Sequence, residues 1–194
     1  MPRHKEFNED DLLADAVDLF WRQGYASTSI DQLVAKSGVA KYGIYSSLGS
    51  KREMFLKVLE SYAGDRHRDI QAPIRRPAAS LGDIIEFFDG AVDRATQEGA
   101  PSGCLMVNTA QELGRADQEL KSIVDAFFDE TTDVMRSCLV RACEKGELTS
   151  KIDMSKMARY LVGEFRFLLL SASSGSSRDE MRERLDVALA PIQG

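Results

Sequence analysis

Residues 28–51 read TSIDQLVAKSGVAKYGIYSSLGSK, and the spacing within this run decides the fold of the N-terminal part. Thr28 and Asp31 fit a capping box, which predicts a short helix just after Thr28 carrying Ile30, Leu33, Val34 and Ala35. Ser37-Gly38-Val39 closes it with a tight turn. A second short helix is expected over residues 40–47, with Ile44 and Leu48 inward and Lys41, Tyr42, Tyr45, Ser46 and Ser47 on or near the surface. Ser50 with Glu53 makes another capping box, opening a longer helix through Met54, Phe55, Val58, Leu59 and Tyr62 toward the charged stretch Asp65 to Asp69. Upstream, Leu12, Leu13, Ala16, Val17, Leu19 and Phe20 form the apolar stripe of a helix from about Glu9 to Gln23, with Gly24 as its stop.

The same helical period continues to the C-terminus, and no sustained apolar/polar alternation rich in Val, Ile and Thr interrupts it, so the fold class is all-α. Prolines at both ends of the stretch Gln71 to Pro77 break the period and mark a boundary to a larger helical region. There the punctuation at Gly99 to Gly103, Gly114, Gly146, Asp153 and Ser173 to Ser177 places helices near 80–98, 103–114, 117–145, 153–173 and 177–190. The expected division is a helix-turn-helix domain over 1–50, a connector helix over 51–70, and a helical bundle over 71–194.

A chain of 194 residues with 43% hydrophobic content needs no metal or disulfide to fold. Cys104, Cys138 and Cys143 form no CxxC pair and no secretory signal precedes them, which points to reduced thiols in a cytoplasm, without structural zinc or any cofactor. The most apolar window, Tyr160 to Ala172, is broken by Glu164 and Arg166, so no membrane span is expected. A formal net charge of -6 argues against coating nucleic acid by bulk electrostatics; any DNA contact must come from a local basic face.

Two short helices joined by a Gly-containing turn and backed by an amphipathic helix let the second stand proud enough to enter a major groove. Such a pair also occurs in plain bundles, and it is the whole run that carries more. Gly24-Tyr25, Thr28, Ile30, Leu33, Gly38-Val39, Lys41-Tyr42-Gly43-Ile44-Tyr45 and Lys51 resemble the signature of the tetracycline-repressor (TetR) family, over about the first 60 residues. The resemblance implies an N-terminal three-helix DNA-binding domain, a C-terminal bundle for ligand binding and dimerisation, and a double-stranded operator as partner. It implies base-edge contacts from Lys41 and Tyr42, and phosphate contacts from Tyr45 and Lys51. Thr28 or Ser29 and the hydroxyls of Ser46 and Ser47 are placed to assist, while Gly43 allows close approach of backbone to DNA. The alternatives are a core role for Tyr45 and plain solvated lysines at 41 and 51. Ala40 stands where many relatives carry a Ser or Thr cap, and Leu48 where many carry Phe. Arg3, His4 and Lys5 form either a phosphate-binding arm or a solubilising tail.

One reading head contacts few base pairs, so specificity requires a homodimer on a pseudo-palindromic operator. In the resembled family the two C-terminal helices form the interface, here through Met157, Leu161, Phe165, Leu168 and Leu169, then Met181, Leu185, Ala188 and Leu189, with Glu164 and Arg166 pairing across the rim; an intramolecular core stripe is the alternative. The family's effector pocket implies walls from Phe87, Phe88, Met106, Phe127, Phe128, Met135 and Phe167, all equally suited to ordinary core. Pro101-Ser102-Gly103-Cys104 enters a helix and puts a thiol in its first turn, where backbone amides favour thiolate. Cys104 is thus either a sensor of an electrophile or a small buried hydrophobe.

An enzyme fails on inventory: His4 and His67 lie outside the expected core, no Ser/His/Asp, HExxH or phosphate loop occurs, and a carboxylate pair such as Glu112 and Glu164 reads as solvated or ion-paired. A protein-interaction module and an activator are the remaining rivals. The expected mechanism is two-state: head spacing matches successive major grooves until a small molecule or thiol modification favours a mismatched spacing, transmitted by the connector helix.

Overall fold

The computed structural model describes residues 7–99, 101, 103–114, 116–149 and 151–193, with the side chains of 66–68 outside the description. The basic arm of Arg3, His4 and Lys5 falls outside these residues. The chain is all-helical: α1 (Glu9–Ser27), α2 (Ile30–Ser37), α3 (Lys41–Leu48), α4 (Lys51–Asp69), α5 (Ala72–Arg75), α6 (Leu81–Ala95), α7 (Leu105–Leu113), α8 (Gln118–Glu144), α9 (Met154–Ser173) and α10 (Arg178–Gln193). No described helix is long and apolar enough to cross a membrane.

The helix starts follow local chemistry. Asn8, Asp117 and Asp153 each accept hydrogen bonds from first-turn amides of α1, α8 and α9, satisfying donors that have no partner inside the helix. The cap of α2 is Ser29 rather than the expected Thr28. Ser29 Oγ accepts from the Gln32 amide at 3.2 Å and Gln32 Oε1 accepts from the Ser29 amide at 2.7 Å. Thr28 is instead 3% exposed and donates its hydroxyl to the Gly24 carbonyl at 2.7 Å.

α1, α2 and α3 wrap one end of the core, where Phe20 meets Phe55 of α4 at a ring separation of 5.0 Å, and Ile44, Leu33 and Leu12 are fully enclosed. α8 and α9 pack along each other at the centre of the rest, joined by α6, α7 and α10. Phe87 and Phe165 meet there at a ring separation of 4.8 Å, tilted by 53°. The proline-bounded stretch is no loose linker. Pro73 sits in the first turn of α5, where its missing amide costs nothing, and Ile74 is buried. The Arg141 side chain donates to the carbonyls of Ala79 and Ile74. α10 runs past the expected stop, through Pro191, because Ile192 is buried and its burial holds the last turn.

Candidate nucleic-acid interface

α2 ends on Gly38, whose left-handed backbone (φ 70°) lets its amide return to the Val34 carbonyl at 2.9 Å. Three residues later α3 begins without a side-chain cap, as the Ala40 departure implies. α3 is closed at its far end by Lys57 of α4, which donates to the Ser47 carbonyl at 2.8 Å. Ile44 and Leu48, one turn apart, anchor α3 to the core. That anchoring turns positions 41, 42, 45 and 46 outward together. Tyr42 is 83% exposed, and Tyr45, Lys41 and Ser46 are exposed beside it. A long aromatic and an exposed cation thus share one face with hydroxyl groups, the kinds of side chain able to meet polar edges and phosphates.

The other expected contact residues fare differently. Ser29 is exposed, although its hydroxyl already caps α2, and Ser47 is half-buried. Thr28 is enclosed, with its hydroxyl spent on the Gly24 carbonyl. Gly43 owes its identity to the protein itself: a Cβ there would lie 3.0 Å from Val39 Cγ1 and 3.1 Å from the Phe7 ring. Lys51 rests 4.5 Å above the Tyr25 ring and donates to the Ala26 carbonyl at 3.4 Å. Lys41 is ion-paired with Asp31 of α2 at 2.8 Å, which raises its pKa above the ordinary lysine value.

Links that no local sequence pattern signals join α1 and α4 to the remainder, among them the Arg22 guanidinium donating to the Gly99 carbonyl at 3.1 Å. At Gly24 the backbone of α1 breaks (φ 77°, ψ 175°) before one more turn, so Gln23 is not the end of the helix. The break frees the amides of Tyr25 and Ala26, and the Glu112 carboxylate of α7 accepts both, at 2.9 and 2.6 Å. Arg52 at the start of α4 forks onto Asp117 at 2.9 and 3.1 Å and reaches Glu119 at 2.7 Å, holding the Asp117 carboxyl below the usual carboxylate range. Trp21 donates to the Gly103 carbonyl at 3.3 Å, and Tyr62, edge-on to Trp21 at 5.1 Å, hydrogen-bonds Cys104 Sγ at 3.4 Å.

Cys104 stands at the N-cap of α7 rather than in its first turn, and it is 2% exposed. Cys138 is buried against the Ser80 carbonyl, and burial pushes its thiol up to about 11. Phe87, Phe88, Met106, Phe127, Phe128 and Met135 are all enclosed in the core and line none of the cavities, whereas Phe167 lies on the surface at 42% exposure. Of the expected interface residues, Leu161, Phe165, Leu168, Leu169, Met181, Leu185, Ala188 and Leu189 are buried within the protomer, and Met157 is half-buried against the same core. The exposed apolar groups of α9 and α10 are Tyr160, Phe167 and Val187, which line one open groove. Within the protomer Glu164 pairs with Arg184 at 3.0 Å, and the Arg166 guanidinium covers the Phe128 ring. Glu112 and Glu164 therefore serve separate structural contacts.

The sequence pattern described as bacterial regulatory proteins of the tetR family matches residues 12–58, and that of the tetracyclin repressor-like C-terminal domain matches residues 81–189. The chain belongs to the TetR family. Among TetR relatives it is 28% identical over 193 residues to the uncharacterized HTH-type transcriptional regulator YezE of Bacillus subtilis, covering 99% of this chain and 100% of YezE. It is 23% identical over 182 residues to the HTH-type transcriptional repressor ComR of Escherichia coli, covering 93% and 87%. Its fold matches that of a cysteine mutant of the TetR-family regulator CifR, solved with a 26-base-pair double-strand operator DNA, at a TM-score of 0.87 with 23% identity over 98% of this chain and 100% of CifR.

Proposed function

We propose that this TetR-family chain is a DNA-binding transcriptional repressor. The single observation that carries the reading is the open face of α3, where an 83% exposed Tyr42 stands beside Lys41, Tyr45 and Ser46 on the second helix of a helix-turn-helix. Tyr42 and Lys41 take base edges, while Tyr45, Ser46 and Lys51 hold phosphates, with Ser29 and Ser47 at the margin. Residues 1–50 act as the reading head, 51–70 as the connector, and 71–194 as the effector and dimerisation part, all in the cytoplasm. The groove of Tyr160, Phe167 and Val187 takes a second copy of the chain, whose two-fold axis sets a pseudo-palindromic operator.

Release follows from a small molecule or from thiol modification, since Cys104 sits where Tyr62 and the start of α7 meet. Its burial requires local opening before a reagent arrives. The experiment is an anisotropy titration against the DNA upstream of its own gene at two salt concentrations, with and without a mild thiol electrophile. Tight binding that weakens steeply with salt supports the repressor reading, because phosphate contacts release counterions. Salt-independent association, or none, refutes it.

A further inference from the structure

Between α1 and the regulatory half lies a cavity of about 390 Å³ that none of the aromatic residues expected to line an effector pocket touches. Its walls include Trp21 of α1, Tyr62 of α4, Ile70 just beyond it, Ala91 and Ala95 of α6, and Leu169 of α9. The volume lies at the lower end of the range of roughly 300–1,000 Å³ typical of small-molecule sites. Ala91 and Ala95, one turn apart, supply only methyl groups to their wall, and that is what leaves the slot open. Trp21 commits its indole N–H to the Gly103 carbonyl and Tyr62 commits its hydroxyl to Cys104, so both rings offer the cavity apolar surface.

We propose that this cavity binds an uncharged, flat aromatic molecule of one or two fused rings, and that Trp21 is the wall which moves when it does. Edge-to-face packing already sets the Trp21–Tyr62 pair at 78°, and a third ring extends that arrangement. Arg94 and Glu98, of opposite sign, both line the site, so net charge on a ligand gains little there. Behind it the chain is closely packed: Gly103, whose carbonyl holds Trp21, lies so near α9 that a Cβ there would fall 1.8 Å from Ser173 Oγ. Trp21 is half-buried, with its indole N–H on the Gly103 carbonyl at 3.3 Å. It stands one residue pair before the Gln23-Gly24 break, so displacement of its ring is delivered to the helix that carries α2 and α3.

This inference deepens the effector-released reading and rests on it, but its test needs no DNA, so either can fail alone. Trp21 is the chain's one tryptophan, and its emission reports the cavity directly. Titration of the full chain with N-phenyl-1-naphthylamine is expected to quench Trp21 saturably at one probe per chain, with sensitised probe emission. Ala95→Phe, which fills the slot from a half-buried position, is expected to weaken binding at least about tenfold, and Ala95→Leu by less, each with the parent's helical circular dichroism. If Ala95→Phe does not fold, the Ala95→Leu shift carries the test. Absence of saturable quenching, or unchanged affinity in the folded variants, overturns the proposal.

Discussion

Replacing Glu112 by alanine tests how the reading head is held. The carboxylate accepts two amides freed where α1 breaks. Bonds to a charged acceptor contribute about 1.5–3 kcal/mol when enclosed, but both amides lie at the surface, where water recovers much of that. The loss therefore resembles that of a helix cap, about 1–2 kcal/mol for the pair. For a chain of this size it lowers the melting temperature by about 2–8 °C. Glu112→Gln, which keeps one oxygen acceptor without the charge, falls between. The assay is thermal unfolding together with hydrogen exchange of the Tyr25 and Ala26 amides, which accelerates in the alanine variant while the α8 and α9 core stays protected. An unchanged melting temperature with unchanged exchange at these two amides refutes the capping role, and with it the idea that α7 positions the head.

Lys51→Ala is expected to weaken binding to all DNA sequences alike and to flatten the salt dependence, while Tyr42→Ala alters the preference among operator variants; identical patterns from both remove base reading from Tyr42. Gly43→Ala is expected to cost about 1 kcal/mol by crowding Val39 and Phe7, measured by urea unfolding, and the Phe7→Ala background relieves most of it; an equal loss in both backgrounds shows that Phe7 is not the obstacle. Asp117 has a depressed pKa, so its link to Arg52 stabilises fully above the unfolded value of about 3.9 and is lost as pH falls through the lower folded value. Asp117→Asn keeps the α8 cap and removes the charge, so the stability gap between parent and variant holds from pH 7 to about 5 and closes in stronger acid; a gap that persists there refutes the link.

The helix class and the reading face were legible because their causes are local. A 3.6 period, two glycine turns and Ser50 with Glu53 all fall within a few turns of one another, and Ile44 with Leu48 fix which side of α3 looks outward. The Thr28 cap was misassigned because two cap-competent hydroxyls adjoin, and the choice falls to Thr28 burying itself under Gly24. Glu112 and Arg52 were beyond reach for a different reason: their partners lie 87 and 65 residues away, with no period connecting them. The aromatic residues of α6 and α8 carried helical spacing that core and pocket share, and only packing separates the two. The cavity proposed above is marked by alanines, which carry no signal of their own.

The pairing of Lys41 with Asp31 bears on how the chain discriminates among DNA sites. In the proposed reading, a lysine that arrives with its own carboxylate must exchange one partner for another, so a phosphate met anywhere along a duplex gains less from it, and Asp31 repels that phosphate as well. Only a site offering Lys41 better acceptors than Asp31 draws the ammonium across. Under the proposed role of Lys41, the affinity of α3 for random DNA is held down, and fewer condensed cations are expected to leave the duplex than the number of positive side chains on this face suggests. For a chain with net charge -6, the proposed reading makes the Asp31 carboxylate a filter against the vast excess of wrong sequence.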